Sequence, residues 1–259
     1  MENPVDDFEI NVRAYENTNY VTGITHNGID VLFAQVNWLT LYRARTLFTK
    51  EPETVQWIET MNSDDVLIDV GANIGMYTIW AAKTRGMKVF SFEPEAHSYA
   101  ILNRNIYING LQDQVRAFCA AVSDKPGLDV LYLSNQGYGA GFSSHQLHDK
   151  VDADLKPADL TIAQGIIAVT LDGAVADGSI PQPTHLKVDV DGIEHKVVEG
   201  CRGILADRRL RSALIEINTD LPLHLDMVDT MKGFGFSYDR QQVAASYPGS
   251  PHKNFIFNR

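Results

Sequence analysis

The chain has 259 residues, 44% of them hydrophobic and 21% charged, which fits a folded globular protein long enough to bury a substantial core. A formal net charge of −11 and an isoelectric point near 5.1 argue against a broad nucleic-acid or anionic-membrane surface and favour a small or neutral substrate. The start MENPVDDFEI has neither a basic n-region nor an apolar h-region, and no apolar run approaches the ~20 residues that span a bilayer, so a cytoplasmic location is expected.

Residues 20–32 alternate around HNGID, where Asn27-Gly28 is a strong signal for a two-residue hairpin turn. Residues 36–48 read as a helix whose Trp38, Leu39, Leu41, Tyr42 and Leu47 suit packing onto the rest of the molecule. We read 1–60 as an N-terminal cap of hairpin plus helices, and 61–259 as a cofactor-binding domain that begins where strand and helix patterns start to alternate. That alternation indicates an α/β fold with a mainly parallel sheet. Strands are expected at 66–70, 88–92, 115–121, 185–190 and 213–217, with a further one at 128–134 and a short one at 168–171. The clearest helices are 76–83 and 97–109, and 236–239 with 254–258 look like a closing antiparallel pair. Cys119 and Cys201 have no C-x-x-C context and are expected to be buried free thiols.

The stretch VLIDVGANIGMY, from Val66 to Tyr77, is a strand, a tight turn and a helix N-terminus. Glycine lets a backbone turn back sharply and approach a ligand, and the helix dipole adds a positive end there. Gly71 and Gly75 form G-x-x-x-G instead of the dinucleotide pattern G-x-G-x-x-G, and Asp69 and Asn73 offer polar groups that fit an amino-acid-like cofactor tail better than a pyrophosphate. Glu93, followed by Pro94, ends the next strand about 20 residues later, where an acid accepts both ribose hydroxyls.

Six segments, KEPETVQWIETMNSDDVLIDVGANIGMYTIWAAK, FEPEAHSYAILNRNIYING, AAVSD, VTLDGAV, LKVDVDGIEHKVVEG and ALIEIN, stand in order from Lys50 to Asn218, and together they resemble the FkbM family of S-adenosylmethionine-dependent methyltransferases. The resemblance implies a class I, Rossmann-like methyltransferase fold, with a seven-stranded mostly parallel sheet, helices on both faces and the last strand antiparallel. It also implies methyl transfer to oxygen, often on a sugar or a sugar-bearing natural product or glycolipid. Carried over motif by motif, Asp69, Gly71, Asn73 and Gly75 hold the methionine portion, Glu93 with Pro94 the ribose, and Ala121, Val122 and Ser123 the adenine. One departure is Asp191 in DVDG, where the family more often has glutamate; the shorter side chain reduces that carboxylate's reach.

Such a transfer needs alignment, exclusion of water and a group to take the hydroxyl proton. Strand alternation places Lys187, Asp189 and Asp191 on one face near the strand's C-terminal end, which makes Asp189 the leading base and Asp191 the second. Asp189, Glu216 and Asn218, on neighbouring strands, also form a candidate oxygen ligand set for Mg²⁺ or Ca²⁺, which would orient a sugar diol. His195 reads as a structural histidine. The polar stretch 135–149 reads as a specificity loop in which Tyr138, Ser143, Ser144 and His148 are candidate acceptor contacts and His145 a further base.

The expected function is therefore O-methylation of a saccharide or sugar-bearing glycoconjugate, with no nucleic-acid partner and with homo-oligomerisation open. A nicotinamide oxidoreductase would show the middle glycine that is missing here. A noncatalytic cofactor-binding regulatory protein would lack the acids of LKVDVDG.

Overall fold

The computed structural model describes residues 20–134, 140–141 and 145–259. Asn27 and Gly28 both take positive φ, 51° and 78°, and close the hairpin of β1 (Val21–His26) and β2 (Ile29–Ala34) with His26 opposite Ile29. This is the two-residue turn that the Asn-Gly pair signals. In α1 (Trp38–Thr46) Asn37 accepts from the Thr40 backbone N–H while Thr40 Oγ1 accepts from that of Asn37, closing a capping box. The helix buries Thr40 and Ala44, with Leu47 just beyond it, whereas Trp38 is 70% and Tyr42 46% exposed. The expected apolar stripe is therefore wrong for the two aromatics, because the inward face of α1 is its small residues.

Next come α2 (Pro52–Glu59), with proline in its first turn, β3 (Val66–Val70), α3 (Met76–Arg85), β4 (Lys88–Phe92) and α4 (Ala96–Ile108). Two asparagines four residues apart, Asn105 in α4 and Asn109 at its end, pair with the open edge of β2: Ala34 N–H donates to Asn105 Oδ1 at 2.7 Å, and Asn109 bonds both the N–H and the C=O of Leu32. Side-chain amides thus do what a third strand would do, and tie the hairpin to the main body.

The chain continues through β5 (Val115–Phe118), β6 (Ala121–Val122), β7 (Gly127–Leu133), β8 (His145–Leu147), β9 (Ile162–Val169), α5 (Leu171–Ala176) and β10 (His185–Val188). It ends with α6 (Glu194–Glu199), α7 (Arg202–Ala206), β11 (Ser212–Asn218), α8 (Pro222–Gly233), β12 (Ser237–Tyr238), α9 (Arg240–Ala245) and β13 (His252–Asn258). The main sheet has seven strands in the order β12-β13-β11-β10-β3-β4-β5, and only β13 runs antiparallel. Leu67 joins the core on the face of α3 and α4, while Ile68 and Val70 join the core of the other face with Leu186 and Val197. The order reverses at β3, so the cleft for a ligand opens at the C-terminal ends of β3, β4 and β10.

A second sheet, β6-β9-β7-β8, lies between β5 and β10 in the chain. The expected strand 115–121 is broken at Cys119-Ala120, and its end belongs to this second sheet. The short strand expected at 168–171 is the tail of the eight-residue β9, whose Gln164-Gly165 interrupts the apolar pattern. Cys201 is buried, but Cys119 is exposed, because the break turns it out of the sheet. No helix of the described residues is long and apolar enough to cross a membrane.

Candidate functional site

The turn after β3 is built from the protein's own contacts. Gly71 N–H and Ala72 N–H both donate to Phe92 O, Asn73 N–H to Glu93 Oε2 at 2.7 Å, Ile74 N–H to Asn73 Oδ1 and Gly75 N–H to Ala72 O. All five N–H groups are used internally, so the turn presents no amide cradle, contrary to the expectation from its glycines. The glycines serve packing instead. A Cβ on Gly71 would sit 1.8 Å from the Asp189 carbonyl oxygen, and one on Gly75 would sit 2.4 Å from Leu102 Cδ1.

A cleft of about 330 Å³ lies over this turn. Asp69, Gly71, Asn73, Glu93, Pro94, Ala121 and Val122, all expected from the sequence, line it. Gly75 and Ser123 do not: Gly75 is turned onto Leu102, and the Ser123 backbone abuts Gly200. Glu93 is buried, with Oε1 accepting from Glu95 N–H and Oε2 from Asn73 N–H; burial pushes its carboxyl up to about 7 despite these two bonds. Asp69 is also buried; Oδ2 accepts from Thr78 Oγ1 at 2.6 Å, while Oδ1 has no hydrogen bond among the described residues and lies 3.9 Å from Lys187 Nζ. The second sheet contributes an apolar wall through Val122, Leu131 and Leu147.

Asp189, Asp191 and Glu216 also line the cleft. Lys187 and Asp189 share a face as alternation requires, and their side chains meet at 2.8 Å. Burial opposes ionisation of Asp189, but the Lys187 ammonium, a hydrogen bond from Glu216 and Lys50 outweigh it and hold the carboxyl well below the usual carboxylate range. Asp189 is thus poorly suited to be the base alone. Glu216 behaves oppositely: burial and the charge of Asp189 push its carboxyl up to about 8. Glu216 passes the interaction outward to His252 Nδ1 at 3.4 Å, and His252 Nε2 meets Asp154 Oδ1 at 3.1 Å. The hydrogen bond to Glu216 raises the His252 imidazole to about 9, against burial.

Asp191 does not continue the alternation. It sits beyond β10 in a turn with φ of 56°, which Glu194 holds by accepting the N–H groups of Val190 and Gly192; burial, then Asp189, raise its carboxyl well above the ordinary value. Asn218 does not join Asp189 and Glu216 as a ligand set: its amide donates to Asp154 Oδ1 at 2.8 Å and its Oδ1 accepts from Asp220 N–H. Among the described residues no group of three or more His, Cys, Asp or Glu is arranged to hold a metal ion. His148 is exposed and bonded to Asp129, away from the cleft. Tyr138, Ser143 and Ser144 lie outside the described residues, and for His145 the backbone alone is described, paired with Leu133.

Several cleft residues carry no sequence signal of their role. Arg43 comes from α1, Lys50 and the buried Glu51 from the start of α2, Tyr247 and His252 from the last segments. Glu51 accepts from Lys50 Nζ at 2.8 Å and from the Tyr247 hydroxyl at 2.7 Å. They stand about 20 or more residues before the glycine turn or far beyond it, and only the docking of the flanking elements brings them in.

The model of the methyltransferase FkbM domain matches residues 69–238, about two thirds of the chain. The chain belongs to the FkbM methyltransferase family. It is 26% identical over 221 residues to the 31-O-demethyl-FK506 methyltransferase FkbM of Streptomyces tacrolimicus, covering 76% of this chain and 82% of that one. It is 27% identical over 190 residues to the hexuronic acid methyltransferase AglP of Haloferax volcanii, covering 69% and 66%. Among solved structures, a precorrin-6y C5,15-methyltransferase from Geobacter metallireducens overlays with a TM-score of 0.46 at 13% identity, covering 88% of this chain and 93% of that one. In this FkbM-family chain Arg43, Lys50 and Glu51 precede the matched segment, and Tyr247 and His252 follow it.

Proposed function

We propose that the chain transfers a methyl group from S-adenosylmethionine to a hydroxyl of a saccharide or of a sugar-bearing natural product or glycoconjugate. The observation that carries this reading is the make-up of the cleft, divided between ionisable side chains, the carboxyls of Glu51, Asp69, Glu93, Asp189, Asp191 and Glu216 with Arg43, Lys50, Lys187 and His252, and an apolar wall. A cofactor with a net positive amino-acid and sulfonium end and a flat adenine fits that division. Asp69 Oδ1, a buried acceptor with no hydrogen bond among the described residues, suits the cofactor's ammonium, and Glu93 suits the ribose diol.

When bound, the cofactor supplies an electrophilic methyl carbon that an acceptor hydroxyl attacks in line. The chain's part is to orient the acceptor, exclude water and receive the hydroxyl proton. Asp189 and Glu216 form a hydrogen-bonded pair that keeps one proton near neutrality, and the second ionisation, on Glu216, provides the acceptor for it. Lys187 keeps Asp189 ionised and fixed in place.

That the acceptor oxygen belongs to a sugar draws on the relatives named for an O-demethyl compound and a hexuronic acid. A screen of sugars, glycolipids, proteins and RNA with labelled donor tests this. Label on a saccharide hydroxyl is expected; label only on protein or RNA, or only on nitrogen, overturns it.

A further inference from the structure

The five N–H groups of the turn at residues 71–75 are bonded within the protein, so for a carboxylate on a cofactor held there a side-chain cation is a stronger partner than the turn. The cleft offers four, of which His252 is taken by Glu216 and Asp154. Lys187 is buried and taken by Asp189 at 2.8 Å with Asp69 beyond it. Lys50 is taken by Glu51 at 2.8 Å. Arg43 is different. Its Nε donates to Gly141 O, and among the described residues neither outer guanidinium nitrogen makes a hydrogen bond. That one bond fixes the group, because Gly141 is itself held by Ser98 Oγ through its N–H, and the neighbouring Ala140 carbonyl by Asn37. A planar guanidinium anchored at Nε presents its two outer nitrogens as a fork, the geometry that matches a carboxylate. Arg43 also lines the cleft within electrostatic range of Glu93 and Lys50.

We propose that Arg43, carried by α1 ahead of the matched family segment, binds the α-carboxylate of the cofactor's methionine end, so that the N-terminal elements are part of the cofactor site. The inference rests on the methyltransferase reading above. It also gives the capping box and the Asn105–Asn109 clamp a purpose, since both fix where α1 and the hairpin dock.

The test compares two ligands by calorimetry: S-adenosylhomocysteine, which carries the carboxylate, and 5′-methylthioadenosine, which keeps the adenosine and lacks the amino-acid end. Arg43→Gln is expected to weaken S-adenosylhomocysteine by about 10- to 100-fold, the range for a charge-assisted pair, and 5′-methylthioadenosine by less than about twofold; Arg43→Lys should recover part of the loss. Retained 5′-methylthioadenosine binding shows that the variant is folded. Equal weakening of both ligands, or of neither, overturns the assignment. If wild-type protein binds neither ligand, the methyltransferase reading itself fails, and the two failures are distinct.

Discussion

At the residue scale, the carboxyl groups of the cleft divide by their surroundings, and each division is measurable. Glu93 already serves the turn through two backbone N–H groups, so Glu93→Gln keeps one of these bonds, sets its amide NH2 against the other N–H, and removes the charge that a ribose diol would meet. Affinity for S-adenosylhomocysteine should fall by about 1.5 to 3 kcal/mol, the range for hydrogen bonds to a charged group. Unchanged affinity would remove Glu93 from that role. Glu216 is the better base because its carboxyl is raised to about 8, whereas Asp189 is held low by Lys187. The rate should therefore rise with pH through a limb near 8. Glu216→Gln should lower kcat by about 10²- to 10⁴-fold and abolish that limb while leaving cofactor affinity within a few-fold. Asp189→Asn, by removing the neighbouring charge, should shift the limb to lower pH. A Glu216→Gln enzyme with the wild-type rate and profile would return the role to another group.

At the element scale, the junction of β3 with β10 decides whether the cleft forms. Gly71 has φ of +78° and no room beside the Asp189 carbonyl, a backbone atom that cannot move without shifting β10. Gly71→Ala should cost upward of about 3 kcal/mol in urea unfolding. Gly75→Ala, which meets only the end of the Leu102 side chain, should cost about 1 to 2 kcal/mol. Similar losses for the two would show that strand contact is not the reason for Gly71. The same junction shows what a sequence can disclose. The hairpin, the parallel strands and the acids at their ends follow from Asn-Gly turn chemistry, period-2 apolar runs and the spacing from Gly71 to Glu93, all local patterns. The internal use of every turn N–H, the entry of Arg43 and Glu51, and the pairing of Glu216 with His252 depend on how distant elements dock. Asn218 misled for that reason: it stands two residues from Glu216 on β11 and shares its strand face, yet its amide is claimed by Asp154 from the loop before β9. Asp191 misled because β10 ends at Val188, three residues before it.

For the whole molecule, the acids buried in and around the cleft oppose folding in the absence of ligand. Burial raises Glu93 and Glu194 to about 7 and Glu216 to about 8, and His252 is raised to about 9 by its bond to Glu216. In an unfolded chain the same carboxyls lose their protons near 4.3 and the imidazole near 6.5. Across pH 6.5 to 9 the folded protein thus holds more protons than the unfolded one, and stability falls as pH rises through that interval. His185, lowered to about 4 by burial, works in the opposite sense only below 6.5 and does not enter this window. The formal charge of −11 adds self-repulsion in the same direction. Ligand-free protein should therefore melt several degrees higher at pH 6.5 than at pH 9, where the four groups together remove on the order of a few kcal/mol. Glu216→Gln, which keeps the neutral form at every pH, should be more stable than wild type at pH 9 and should flatten part of the slope, a gain in stability at the site where function is lost. Scanning calorimetry at pH 6.5 and 9 on both proteins tests this; a wild-type melting temperature that holds or rises over the interval, or a Glu216→Gln variant with the wild-type slope, would show that the buried carboxyls do not strain the ligand-free fold.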